Sequence, residues 1–141
     1  MYFEKIPQIE GVSLNMKSII KSVESIPIKM PLKQKYKGSY YSMENRCTIV
    51  TRITTEDGIV GEIYNGDEEL DTQRIVVDLI NKVLAPLVIG ENIFEVNKIW
   101  TKMEPLTYDI LANRRLAVHA ISCVDSAIYD AIGKTLNIPL Y

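Results

Sequence analysis

The stretch "VDSAIYDAIGKTLNIPLY", residues 124–141, closes the chain and decides how the rest is read. With the residues before it, it forms a pattern in which Ala117, Val118, Ala120, Ile121, Val124, Ala127, Ile128, Ala131 and Ile132 recur at helical spacing. At about 100° per residue this set covers about half the helix circumference. The pattern predicts a helix from just after Asn113 to about Leu136, wider in its apolar face than a surface helix requires. Much of that face is alanine, which lets another element approach closely. Asp125 falls inside the stripe, and burying an isolated carboxylate is costly. It is therefore expected to be hydrogen-bonded or paired as a structural strut. Asp130 lies on the opposite, polar side, so the two aspartates share neither a proton nor a metal.

Working back, "CTIVTRITTEDGIVGEIY" (47–64) is dense in β-branched residues around Asp57-Gly58. It predicts two antiparallel strands, with residue types at the turn that fit type I′. "MKSIIKSVESIPIKMPL" (16–32) is Ile- and Val-rich and carries Pro27 and Pro31, which suits a strand near a sheet edge. Between them "KQKYKGSYYSMENR" (33–46) breaks the periodicity and reads as a loop. From Leu70, the spacing of Val76, Ile80, Val83, Leu84 and Leu87 predicts a helix closed by Pro86 and Gly90. Asn92 and Glu95 stand at capping-box separation before a second helix with Val96, Ile99, Trp100 and Met103, ended by Pro105. Three strands followed by about three helices make an α+β domain over 16–141, with 1–15 as an N-terminal extension.

Composition narrows the function classes. The 141 residues are 47% hydrophobic and 24% charged, with a net charge of −2, which gives no long-range pull toward nucleic acid or an anionic membrane. No apolar run looks long enough to cross a bilayer, and the acidic, proline-bearing N-terminus lacks a signal-peptide pattern. Cys47 and Cys123 have no metal spacing around them, so a cytoplasmic protein with reduced thiols is expected. His119, the single histidine, projects away from the apolar stripe and reads as solvated or loosely hydrogen-bonded. G-x-S-x-G, Walker A and C-x-x-C patterns do not occur.

The segment 33–46 is the chemically suggestive one, with Lys33, Lys35, Lys37, Tyr36, Tyr40, Tyr41 and Arg46 close together. Three readings apply: a solvated basic loop, a grip on single-stranded nucleic acid, or a lid. In the lid reading tyrosines cover an apolar substrate body while Lys37 or Arg46 attracts a carboxylate. "YNGDEE" (64–69), directly after the hairpin, could face the same space.

Taken in order, "IVTRITTEDGIVGE", "LAPLVIGEN" and "AISCVDSAIYDAIGKTLNIPLY" resemble the N-terminal capping domain of the mandelate racemase and muconate lactonizing enzyme branch of the enolase superfamily. Ala120, Ile121, Asp125, Ala127, Asp130, Gly133, Lys134 and Pro139 carry the resemblance, which covers about residues 16–141. It implies an α+β cap over the open end of the protein's own C-terminal barrel. In the family that barrel holds Mg²⁺ and the bases that remove the proton α to a substrate carboxylate. By position, 34–46 and about 64–68 would be the two loops that close the site, with Tyr40, Tyr41, Tyr64, Lys37 and Arg46 as substrate contacts. No catalytic residue or metal ligand carries over, because the family's lie on the barrel. Relatives often show Gly-x-Gly-Glu where this chain has Gly61-Glu62-Ile63-Tyr64, which leaves the register of the second loop open. The implied enzyme is a racemase, cycloisomerase or acid-sugar dehydratase, a homo-oligomer acting on a small carboxylate. The alternative is a free-standing, non-catalytic domain that self-associates through its alanine-rich helix.

Overall fold

The structure, a computed structural model, describes residues 16–65, 70–108 and 113–140. The expected extension 1–15 and most of the second loop lie outside the described residues. Three antiparallel strands, β1 (Ile20–Lys37), β2 (Ser42–Thr55) and β3 (Val60–Asn65), form a sheet in the order β1-β2-β3. Helices follow as α1 (Leu70–Asp78), a π-helical turn (Leu79–Leu84), α2 (Ala85–Val88), α3 (Val96–Met103) and α4 (Arg114–Leu136). This is the α+β order that the sequence predicts.

Alternation along β2 divides the sheet into two faces. Ile49, Thr51, Ile53 and Thr55 point inward and are buried, while Arg52 and its neighbours of like parity point away from the helices. The core lies between that inner face and the helices, with Ile20, Ile80, Leu84, Ile121, Val124 and Ile128 among its largest or most enclosed members. Both prolines sit on the edge strand β1, opposite Ile49 and Asn45.

Helix side chains close both edges of this small sheet. On β1, the Asn81 amide accepts from Ser25 N at 2.8 Å and donates to Ser25 O at 2.9 Å, as a neighbouring strand would. On β3, Asp130 accepts from Glu62 N at 2.8 Å, and Lys134 donates to Val60 O at 2.7 Å. The two side chains are themselves ion-paired at 2.7 Å. Unpaired strand edges invite intermolecular pairing, and these contacts occupy four of the edge backbone groups. Between them, Gly61 lets α4 lie directly on β3: a Cβ there would fall 2.1 Å from Ala127 O.

Several local expectations are corrected. Residues 33–46 are not an irregular loop: β1 continues to Lys37 and β2 begins at Ser42, so the segment is a two-stranded ribbon around a turn at 38–41. Its pairing is hidden from a local reading because five residues of β1 (31 to 36) advance against two of β2 (45 to 43). Such a bulge destroys the period-2 signal. The Asp57-Gly58 turn is not type I′. Only Gly58 has positive φ, at 88°, and its N–H donates to Thr55 O, which makes a type I turn followed by a left-handed glycine.

Pro86 does not close its helix. Having no N–H to give, it is preceded by a widened turn in which Ala85 N reaches back to Ile80 O, and the helix runs to Val88. Asn92 and Glu95 form no capping box. The Asn92 side chain instead accepts from Ser18 N and donates to Met16 O, fastening the segment that leads into β1. By length and hydropathy α4 does qualify as a bilayer-spanning segment, contrary to expectation, but 56% of its apolar window is buried inside the domain. That is the behaviour of a core helix.

One side chain ties the ribbon's root to the helical layer. Gln73 of α1 is fully buried, and its Nε2 donates to the carbonyls of Ile28 and Thr48, which pair with each other across β1 and β2. Thr48 in turn donates through its hydroxyl to Asn65 O at the end of β3. Gln73 Oε1 has no partner among the described residues.

Gly61→Ala is expected to cost at least roughly 1–3 kcal/mol, the usual penalty of overpacking, read from urea unfolding; an unchanged midpoint would contradict the close β3–α4 contact. Gln73→Leu removes both donors but also the orphaned oxygen, so global stability should move by under about 1 kcal/mol. Amide exchange in 28–48 should nevertheless quicken about tenfold relative to the core. Unaltered ribbon protection would show that Gln73 does not hold it.

Candidate functional site

The ribbon beyond Cys47 has no core beneath it. From Lys29 to Arg46 every residue is exposed except Leu32, Gly38 and Asn45, which are half-buried. It projects roughly 15–20 Å past the packed domain at 3.3 Å per residue. Two-stranded ribbons are marginal alone, and this one is held at its base by Gln73 and along its length by the Lys35–Glu44 ion pair at 2.6 Å.

At the tip, Gly38 N donates to Tyr41 O at 2.9 Å. The Tyr41 ring lies against Gly38 so closely that a Cβ there would fall 2.4 Å from Cε1. Glycine at 38 therefore leaves room for the ring. Tyr40 is fully exposed and Tyr41 largely so. Lys37 pairs with Ser42 at the base of the turn.

The register puts Lys37, Arg46 and Tyr64 on the face turned away from the helices. Ser42, Arg46 and Val50 share parity on β2, and they pair with Lys37, Met30 and Tyr64 respectively. Tyr64 is 76% exposed and forms a row with Val50 and Ile26. Next to it runs a charged row in which Arg52 meets Glu62 at 2.7 Å and Glu24 at 3.9 Å. Along β2, the Tyr64 row is roughly 25 Å from the tip. Tyr40, Tyr41 and Lys37 thus cluster, whereas Tyr64 stands apart from them on the same sheet. Gln73 is missed by the sequence reading. The signal that could have found it is its place on the helical stripe of Val76, Ile80 and Leu84, where a polar residue needs an interior partner.

The titratable groups carry structural signatures. Hydroxyls of Thr55 and then Ser18 hold Asp57 below the usual carboxylate range. Glu91 is likewise held down, by Lys102 first and Lys98 second, and Lys98 is pushed up to about 12 by Glu91 and Glu95. Glu91 and its two lysines bind the turn after α2 to α3. Asp125 differs. It is half-buried on α4, its carboxyl is pushed up by burial alone, and no hydrogen bond or ion pair reaches it among the described residues. The strut that the sequence predicts has no counterpart among the described residues. His119 is half-buried, and Cys47 and Cys123 are buried free thiols.

The residues present do not fit a magnesium ion: among the described residues no group of three or more His, Cys, Asp or Glu side chains could hold a metal. No step of metal chemistry is assigned to this chain.

Residues 20–141 match the family described as mandelate racemase / muconate lactonizing enzyme, N-terminal domain. A solved mandelate racemase/muconate lactonizing enzyme is 41% identical with a TM-score of 0.81, over 87% of this chain and 33% of its own. Another, from a marine actinobacterium in complex with magnesium, is 37% identical with a TM-score of 0.75, over 87% and 31%. Among characterised proteins, the N-succinyl-L-Arg/Lys racemase of Bacillus cereus is 25% identical over 86% of this chain and 32% of its own. The L-rhamnonate dehydratase of Saccharopolyspora erythraea is 34% identical over 67% and 23%. The chain thus spans about a third or less of the length of these relatives. With the family match and the structural likeness agreeing, the chain belongs to the N-terminal capping-domain family of the mandelate racemase and muconate lactonizing enzyme branch of the enolase superfamily.

Proposed function

We propose that this domain closes the open end of a (β/α)8 barrel in a Mg²⁺-dependent enzyme that removes the proton α to a substrate carboxylate. The observation that carries the reading is the β1–β2 ribbon, which projects past the core and ends in exposed Tyr40 and Tyr41. An arm without a core of its own, built around a glycine that admits a tyrosine ring, suits covering a cavity on another domain. In this reading Tyr40 and Tyr41 exclude water and pack on the substrate body. Lys37 or Arg46 attracts the carboxylate, and Tyr64, near the end of β3 beside the second loop, faces the same side of the sheet.

Magnesium would be held, with the bases, by the barrel and would supply charge stabilisation there. Family kinship with racemases and dehydratases supports an isomerase or lyase for the whole protein, and we place it in the cytoplasm as a homo-oligomer.

The native gene product in its source cell is expected to exceed this chain's 16.0 kDa by roughly 25–30 kDa, the mass of a typical barrel. A native mass of 16.0 kDa with no barrel polypeptide bound would sink the capping role and leave a non-catalytic, self-associating domain. In the barrel-bearing enzyme, replacing Tyr40 and Tyr41 together by alanine should lower kcat/KM by about tenfold or more, at least about 1.4 kcal/mol of transition-state binding. The thermal midpoint should stay near wild type. Unchanged kcat/KM across a panel of carboxylate substrates would remove the tyrosines from the site.

A further inference from the structure

The packing of α4 against the sheet leaves a second, narrower stripe on the same helix. Val118, Ser122, Asp125, Tyr129, Ile132 and Leu136 follow one another at intervals of four, three, four, three and four residues. All six lie within about 40° of one line along the helix. Val118, Tyr129 and Leu136 are exposed large apolar residues, while Ile132 and Asp125 are half-buried. Solvent-facing helix surfaces are normally charged; beyond Arg114 at the helix start, this one is apolar except for a serine and one carboxylate. Every other described aspartate or glutamate that is half-buried has a hydroxyl, amide or ammonium donor, as Glu91, Glu104 and Asp130 do. Asp125 has none.

Resting on the capping reading, we propose that this stripe is the seat of the barrel domain and that Asp125 accepts hydrogen bonds there from N–H donors of that domain. The occupant follows from two observations. The relatives are about three times as long as this chain, so a large second unit accompanies the fold in them. The stripe runs the length of α4 toward Ile138 and Leu140, which are also exposed, and so continues the apolar surface to the end of the described chain. A carboxylate without a donor in one domain, in the middle of such a surface, is a position that a neighbouring domain completes. Burial that pushes its carboxyl up accords with a group whose partner is still to be supplied. Asp125 is in this account a positioning residue for the interface.

The test compares wild type, Asp125→Asn and Asp125→Leu in the 141-residue chain and in the barrel-bearing protein, by thermal midpoint and by amide exchange along α4. In the chain alone, Asp125→Leu should raise the midpoint by about 2–4 °C or more, because it removes a half-buried charge that has no donor. In the barrel-bearing protein both variants should lower it, and exchange at 118–136 should quicken at least tenfold. A full loss with Asp125→Asn assigns a cationic donor, and a partial loss assigns backbone amides. Shifts of the same sign in both proteins would overturn the inference. If wild-type α4 exchanges equally fast with and without the barrel, the capping reading itself fails. If α4 is protected by the barrel yet indifferent to residue 125, only the role of Asp125 falls.

Discussion

Contact between α4 and the edge strand β3 fixes most of what this domain can do. Gly61 brings the Ala127 carbonyl against the strand backbone with no side chain between them. Asp130 and Lys134, one turn apart, then take the free N–H of Glu62 and the free carbonyl of Val60. A helix so fixed cannot slide or roll. Its rotation decides that Ala120, Val124, Ile128 and Ala131 enter the core, and that Asp125 and Tyr129 do not. The preference for alanine follows directly, since larger residues at 127 and 131 would lift the helix off Gly61.

The same economy governs the opposite edge and the arm. A three-stranded sheet has two exposed edges for one interior strand, and here side chains replace the missing strands: Asn81 at Ser25, Asp130 and Lys134 at Val60 and Glu62. Beyond Gln73 the ribbon has no such cover. The chain therefore passes, within one strand, from a segment fastened on every side to one held only by its partner. That gradient suits a lid, which must be placed accurately at its root and left able to adapt at its tip.

The parts of this arrangement that were legible in the sequence are the ones written locally. The period of 3.6 in α4, the Asn113 start and the β-branched runs around Gly58 each announce an element. What was not legible depends on partners distant in sequence. The ribbon at 33–46 is invisible because its strands pair across a bulge. The π-helical turn arises from Pro86 acting on the residues before it, and Asn92 is claimed by Ser18 and Met16 before it can cap α3. Of the candidate site, the tyrosines and basic residues were legible as types. Their grouping was not, because only the register reveals that Lys37, Arg46 and Tyr64 share a face while Tyr64 lies far from the tip. Asp130 reads as a surface charge until the free edge of β3 comes beside it.

The hydropathy of α4 connects these observations. A helix that covers one small sheet needs a single apolar stripe with polar residues elsewhere. This one is apolar enough overall to resemble a bilayer-spanning segment, though only 56% of that apolar window is buried in the domain. The buried fraction is spent on β3, β2 and α1, and the remainder forms the line from Val118 to Leu136. Two apolar lines on one helix, one rich in alanine and locked to a glycine, the other built of larger side chains around a carboxylate, mean two packing surfaces of different character. The first tolerates almost no change in distance, because backbone meets backbone. The second is made of flexible side chains and can adjust to its neighbour. In the capping role proposed above, the first would place the root of the arm and the second would fit a separately folded body, and the hydropathy of α4 would carry both.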